Sequence, residues 1–500
     1  MIDINLIREN PELIRENIKK KFQDEKLALV DKVLEIDKQW RELKFEEDSL
    51  RASRNKISKE INELKKAGKD AKAKIKEAGE IPGKIVVIED HRKRHEEDIR
   101  ELMLKIPNII HSSVPIGKDA SQNVEIKKVG VPKVPKYEIF NHAELAEKLG
   151  GADFDSARET SGKGFYFIKG QLALLASAML AYARDYMVKQ GFEYLEPPLM
   201  IREEILRGVY SNDEIKAMSY KIEGEDLFLI ATSEHPLIGM YMGKIIVAKN
   251  LPLKLTGFSS CFRKEVGAHG LEEKGFYRVH QFNKQEMVVI CEPVDSYKFY
   301  DSMLKYTLDI FKALEIPVRI YESCSGDLSD LKAKGCDVEA WSPRQKKYFE
   351  VGSLTNMEEA QARRLNIRIE GKGELHFAHT LNNTVIASPR ALIALMENHQ
   401  QKDGTIKVPK ALWKYTGFKE IKPKTPMPST LGQHEEIKPK LPETKPKLPE
   451  LKSKNAENAE NKPTHKTLPK LVAHKQVKSS HKKGEKHAKN KKHKKPKKGK

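Results

Sequence analysis

An antiparallel helical hairpin, then an α+β domain on an antiparallel sheet, then a disordered basic tail is the architecture the sequence predicts. Three observations predict it. Apolar residues recur at three- and four-residue steps through two charged segments near the N-terminus, short β-rich runs then follow one another with few intervening helices, and residues 421–500 contain no aromatic residue. Sustained heptad spacing gives a helix a seam that another helix must cover. Strands joined in hairpins rather than through crossover helices form antiparallel sheets. A chain without large apolar side chains cannot offset the entropy of ordering itself.

The first seam runs through Ile36, Trp40, Leu43, Leu50, Ile57, Ile61 and Leu64, with Glu47 and Arg54 as polar interruptions. The second returns through Ile85, Ile88, Arg92, His95, Ile99, Leu102 and Ile106. In the intervening "KKAGKDAKAKIKEAGEIPG", Gly68, Gly79 and Pro82 permit a reversal. The longer helix of such a hairpin is about 55–60 Å long at 1.5 Å per residue. Its far end is basic, with Arg51, Arg54, Lys56, Lys59, Lys65, Lys66, Lys69, Lys72, Lys74 and Lys76. A solvated coiled-coil face accounts for such a run, and so does a surface that holds a polyanion by its phosphates.

Beyond a loop-rich connector, "GFYFIKG" reads as a short strand and Gln171–Gln190 as a helix too apolar to stand uncovered. "GFEYLEPPLM" reads as a strand broken by Pro197-Pro198, which suits an edge or an interface. Strands are predicted at "LFLIATSE", "LKLTGFSSCFRKE", "FYRVHQFNKQEMVVIC", "VRIYESC", "YFEVGSLTN" and "ELHFAHTLN", with helices near 296–314 and 390–400. The expected divisions are a helical hairpin domain at 1–110, a connector at 111–165, a sheet domain at 166–420 and the tail at 421–500.

Composition narrows the function classes. The four cysteines are widely spaced and form no C-x-x-C pair, which argues against a disulfide framework or a zinc knuckle. "LALLASAMLAYA" is too short to span a bilayer and no signal peptide opens the chain, so a soluble cytoplasmic protein is expected. The tail carries 24 Lys against 7 Glu, most of the net charge of +20. Its expected role is weak, nonspecific contact with RNA phosphates, with solubility alone as the alternative.

The segment "FRKEVGAHGLEEKGFYRVHQFNKQEM", Phe262–Met287, carries the chemistry. A two-residue period places Ser259, Cys261, Arg263 and Glu265 on one strand face, and Phe276, Arg278, His280, Phe282, Lys284 and Glu286 on another. Such faces are too polar for a core and suit a ligand cleft. Guanidinium forks match phosphates, a ring stacks on a base, and a buried carboxylate holds an ammonium group. Neither a P-loop lysine motif nor a G-x-G-x-x-G fingerprint occurs, so side chains on the sheet must supply the phosphate grip.

This segment resembles motif 2 of the class II aminoacyl-tRNA synthetases, and "RVHQFNKQEM" is similar in particular to the seryl-tRNA synthetases. "QGFEYLEPPLM" resembles motif 1, which builds the dimer interface in that class; "ATSEHPL" resembles the Thr-x-Glu serine loop; "HTLNNTVIASPRALIALMENHQ" resembles motif 3. The hairpin resembles the arm that holds the long variable arm of serine tRNA. The resemblance covers residues 1–418 and implies a homodimer that uses Mg²⁺ and ATP to activate L-serine and charge tRNA(Ser), with selenocysteine tRNA as a further candidate. It implies that Arg263 contacts the α-phosphate and the serine carboxylate and that Arg390 covers the base and approaches the γ-phosphate. Glu265 would meet the adenine amino group and Phe282 would stack on the base. Lys264, Val279, His280, Gln281, Val351 and Gly352 complete the expected nucleotide site. Glu350 and Ser353 would hold magnesium, Glu286 the serine ammonium, with Thr232, Ser233, Glu234, Asn382 and Thr384 around it. Glu234 and Thr384 are the candidates for reading the hydroxyl, which lets such a site reject alanine.

Taken singly, these residues have plainer readings: Glu350 as half of an ion pair, His280 as a structural histidine, "TSE" as a helix cap. "EVGSLTN" and "NNTVIASPR" depart from the usual bacterial wording and look more like archaeal or eukaryotic members. The alternatives are a threonyl- or prolyl-type synthetase, or a non-catalytic RNA-binding protein on the same fold. The first would use a zinc site, the second would lack the arm, and the third would have lost Arg263, Glu286 or Arg390.

Overall fold

The computed structural model describes residues 1–265, 275–371 and 373–424. The tail from residue 425 onward and the loop "VGAHGLEEK" lie outside the described residues. Two short helices, Ile4–Glu9 and Pro11–Lys20, open the chain, and Asn10 caps the second by accepting the Leu13 N–H at 3.2 Å.

The hairpin follows as α1 (Leu27–Lys66) and α2 (Lys72–Met103), and Ile57, Ile81 and Ile85 are buried between them. Its turn falls at Ala67–Ala71, where Gly68 takes φ +70°. Gly79 and Pro82, expected to help the reversal, lie within α2 instead. Pro82 faces solvent, where water can satisfy the carbonyl that its missing N–H leaves unpaired. Glu47 does not interrupt the seam either. It is buried in it, accepting from Arg51 Nε at 3.0 Å and Arg92 Nε at 2.9 Å.

Polar contacts fasten the root of the hairpin to the sheet domain. The buried Lys21 ammonium donates to the Leu328 carbonyl at 2.7 Å, and Asn17 donates to the Asn108 carbonyl at 3.0 Å. Asn108 in turn donates to the carbonyls of Leu331 and Met357 at 3.1 and 3.0 Å.

The central sheet has eight strands: β1 (Val124–Val129), β2 (Glu193–Leu195), β3 (Leu253–Phe262), β4 (Gln281–Cys291), β5 (Val318–Glu322), β6 (Lys334–Ser342), β7 (Lys347–Glu358) and β8 (His379–Ala387). Their order is β1-β5-β6-β7-β8-β4-β3-β2, antiparallel except for the edge pair β2–β3. Neither β1 nor β6 is predicted by sequence. In β6 the inward residues Cys336, Val338 and Ala340 are small, so the alternation in "KGCDVEAWS" is weak although its two faces separate cleanly.

Helices α3 (Gly170–Lys189), α5 (Ser296–Ala313) and α7 (Ser388–His399) cover one face of the sheet. Between α3 and α5 in the chain lies a short helix, α4 (Glu234–Gly239), and between α5 and α7 lies α6 (Ala360–Leu365); both pack on the opposite face. The alternation of β4 divides its residues accordingly. Met287, Val289 and Cys291 enter the first core, while Val288 and Ile290 enter the second. Phe282, Lys284 and Glu286 share the second face, beyond the edge of that second core.

Candidate active site

On this face, cross-strand pairing sets Glu286 directly opposite Gly257 of β3 and Thr384 of β8. Gly257 is needed there: an added Cβ would lie 2.8 Å from Leu237 Cδ1 and 3.0 Å from Ser233 Cβ. Without it the Thr232–Glu234 turn that opens α4 could not lie against the strand. Ser233 is fully buried and donates to the Gly257 carbonyl at 2.9 Å, so it anchors the turn and makes no side-chain cap for α4.

The turn brings Thr232 and Glu234 to Glu286. Thr232 donates to one Glu286 oxygen at 3.5 Å and the Asn382 amide donates to the other at 3.4 Å, both long. The Lys284 ammonium approaches Glu286 at 2.5 Å. Glu234 is buried and accepts from the Gln361 amide at 3.0 Å. Burial, and then the nearby Glu286 charge, push its pKa up to about 7, while the Gln361 bond opposes them. The result is a small polar chamber in which, among the described residues, Glu234 has one neutral side-chain partner and the Asn382 side-chain oxygen has none.

Beside it, a cleft is lined by Arg263, Phe282, Tyr277, Arg278, Glu350 and Arg390. Glu265, Val279, Lys284, Val351, Gly352 and Thr384 also line it. The Arg263 guanidinium lies 5.3 Å from the Phe282 ring centre, and Arg390 lies 4.9 Å from that of Tyr277. Arg390 Nη1 donates to the Glu350 carboxylate at 2.9 Å and Arg278 donates to Glu265 at 3.1 Å. The plain reading of Glu350 as half of an ion pair therefore holds, and its partner is the other residue expected at the phosphates.

Glu350 and Ser353 are three apart, and a regular strand would send them to opposite faces. A bulge restores them to one face: Val338 of β6 pairs with Gly352 and Glu339 with Glu350, which leaves Val351 unpaired in β7. Phe349, Val351 and Leu354 all enter the core in consequence. Asp337 pairs across from Ser353, and burial together with the Glu350 charge raises its pKa to about 6. Sequence reading missed Asp337 and Gln361, and it placed Lys284 on the cleft face without giving it a role. Asp337 lies in the unrecognised strand, and Gln361 reaches the chamber from a helix more than a hundred residues away from Glu234.

The strand reading around the loop needs correction. Strand β3 ends at Phe262 and β4 begins at Gln281, so Arg263–Glu265 and residues 275–280 are not strand. Glu265 takes φ +45°. Phe276 is fully buried against Phe154 and Tyr166, with ring centres 5.2 and 5.0 Å away, and belongs to the core. His280 Nδ1 lies 2.9 Å from the Arg263 carbonyl and 3.0 Å from the Tyr220 hydroxyl. It ties the Arg263 backbone to Tyr220, a structural role as its plain reading has it, and does not line the cleft. The Lys264 ammonium donates away from the cleft to the Lys216 carbonyl at 3.2 Å, and Gln281 is exposed at the start of β4.

Comparison with known proteins places the chain in a family. Residues 1–110 match the seryl-tRNA synthetase N-terminal domain, and residues 218–399 match the class II tRNA synthetase core domain of the G, H, P, S and T enzymes. A serine–tRNA ligase from Methanospirillum hungatei is 45% identical over 424 residues, 84% of this chain and 100% of the relative. One from Thermococcus sibiricus is 44% identical over 85% of this chain and 98% of the relative. The chain belongs to the seryl-tRNA synthetases. Among solved structures, the Pyrococcus horikoshii seryl-tRNA synthetase complexed with ATP superposes with a TM-score of 0.81 at 40% identity, covering 85% of this chain and all of that one. The cytoplasmic Naegleria fowleri enzyme in complex with AMP gives 0.76 at 34% identity, over 85% of this chain and 99% of that one. These synthetases match the hairpin and the sheet domain together; the threonyl, prolyl and non-catalytic alternatives are not supported.

Proposed function

We propose that the chain is a serine–tRNA ligase that condenses L-serine with ATP to seryl-adenylate and pyrophosphate, then passes the seryl group to the 3′ end of tRNA(Ser). The observation that carries this reading is the placement of an acidic chamber and a guanidinium cleft side by side on one sheet face. The serine ammonium takes the Glu286 carboxylate, with Thr232 and Asn382 beside it. Glu234 and Thr384 read the hydroxyl. The adenine stacks on Phe282, Glu265 accepts from its amino group, and Arg390 turns from Glu350 to the triphosphate. Arg263 lines the cleft and donates to the Ala231 carbonyl, next to Thr232, at 3.4 Å; negative charge grows there as the serine carboxylate attacks the α-phosphorus in line, and a fixed cation favours that transition state. No protein nucleophile is required.

A magnesium ion fits this site as one that arrives with the nucleotide. Among the described residues no group of three or more acidic, histidine or cysteine side chains could hold a metal alone. Glu350 and Ser353 supply a carboxylate and a hydroxyl on one face. Phosphate oxygens and water would complete the oxygen shell that magnesium prefers. Bound there, it would neutralise charge on the phosphates.

A homodimer is supported by α3 and the strands after it. Leu174, Val188 and Met200 are 54%, 48% and 47% exposed, an apolar surface that a second copy would cover. The arm would grip the tRNA by its phosphates through its basic end, and the tail would add nonspecific contacts. No helix among the described residues is long and apolar enough to cross a membrane.

The test is serine-dependent exchange of pyrophosphate into ATP. It is expected in the parent protein and reduced about 10³-fold in Arg263→Ala. Exchange that ignored serine, or that preferred threonine or proline, would refute the assignment. Deleting residues 425–500 is expected to flatten the salt dependence of tRNA binding and leave serine activation intact.

A further inference from the structure

Phe282, Lys284 and Glu286 occupy successive positions on one face of β4, so they lie about 7 Å apart at the rise of an antiparallel strand. On the reading above, the first serves the base and the last the amino group. Lys284 therefore stands midway, opposite the junction where the serine carboxylate meets the α-phosphate. It lines the same cleft as Arg263 and is only 6% exposed. Its ammonium lies 2.5 Å from Glu286, the seat proposed for the ammonium of serine. Serine thus arrives at a carboxylate that already has a cation. The incoming ammonium can take that carboxylate with Thr232 and Asn382, which frees the lysine head on a flexible stem.

We infer that Lys284 is a second substrate-contacting cation of the reacting centre, which neutralises Glu286 until serine binds and then turns to the α-phosphate. There it shares with Arg263 the charge that builds as the bond from the carboxylate oxygen to phosphorus forms and the bond to pyrophosphate breaks. The lysine keeps its proton throughout and forms no covalent bond. The inference rests on the proposed serine-activating reading, which the parent protein tests separately: exchange without serine dependence sinks that reading, whereas a parent that depends on serine leaves Lys284 to be judged by its variants.

Lys284→Met is expected to lower kcat for serine-dependent exchange about 100-fold, in the range for loss of one group that stabilises developing charge. The KM for ATP should stay within threefold of the parent. Lys284→Arg, which keeps the charge on a stiffer head, should recover about tenfold of the loss. Thermal unfolding and ATP binding report whether each variant is folded, and Lys284→Gln replaces the methionine variant if that one is not. A kcat within threefold of the parent, or a loss confined to the KM for serine, would overturn the inference.

Discussion

Glu47 in the arm and Glu234 in the active site are both buried carboxylates, yet their surroundings oppose one another. Glu47 is held between two guanidinium groups, whose hydrogen bonds outweigh burial and keep its pKa below the usual carboxylate range. Asp37 lower in the arm, gripped by Arg8 and Arg41, is treated likewise. Glu234 has one neutral amide as partner and an acidic neighbour, and its pKa rises to about 7. A carboxylate that is fully paired holds structure together. One that is left short of partners waits for a ligand, and the folded protein is less stable for keeping it.

Four substitutions would break or sharpen this contrast. The largest effect is expected for Glu234→Gln, which should lower kcat/KM for serine about 100-fold, as loss of one member of a buried charged hydrogen bond does. The same variant should be more stable than the parent at pH 8. With an ordinary value of 4.5 and a folded value of about 7, ionising Glu234 costs the parent stability progressively between those two pH values. The difference between the two proteins should therefore vanish below pH 4.5, a comparison that chemical denaturation at several pH values makes directly. A stability gain at pH 4 equal to that at pH 8 would contradict it.

Gln361→Leu removes the amide bond that holds Glu234 towards its charged form. Its kcat/KM for serine should fall about tenfold, near 1.4 kcal/mol for one hydrogen bond. The acid limb of the pH profile should move above the parent's. Gly257→Ala should raise the KM for serine several-fold and spare that for ATP, because the new methyl pushes the Thr232–Glu234 turn and touches no group of the nucleotide cleft.

The smallest effect on activation is expected in the arm. Glu47→Gln should leave serine-dependent exchange unchanged and lower stability by about 1–3 kcal/mol at neutral pH. Because the folded pKa of Glu47 is depressed, its contribution is present above about pH 4.5 and is lost as pH falls through the folded value. The stability profiles of Glu47→Gln and Glu234→Gln, each against the parent, should thus differ in sign at neutral pH.

The same contrast explains what could be read in advance. The arm's seams were legible because heptad spacing repeats many times, yet the position of the turn was not: Gly79 and Pro82 look like breakers, and only packing against α1 shows that they continue a helix. Arg263, Phe282 and Glu286 were legible because charge on a strand face is conspicuous. Lys284 lies in the same alternation, but its contact with Glu286 is visible only in three dimensions. The bulge at Val351 has no signature in "FEVGSL", so nothing local indicates that Glu350 and Ser353 face the same way. Phe276 was misassigned for a related reason, since a period of two means nothing where the chain is not strand.

The root of the arm has a mechanical consequence. A helix of 40 residues is a rod about 60 Å long, clamped at one end, and a rotation of about 5° at the clamp sweeps its tip through about 5 Å. That sweep exceeds the step of about 3.4 Å between neighbouring base pairs along a nucleic-acid duplex. Directional bonds resist such rotation better than apolar packing, which tolerates sliding. The contacts made by Lys21, Asn17 and Asn108 therefore act as a goniometer, setting the angle at which the far end of the arm meets whatever it grips.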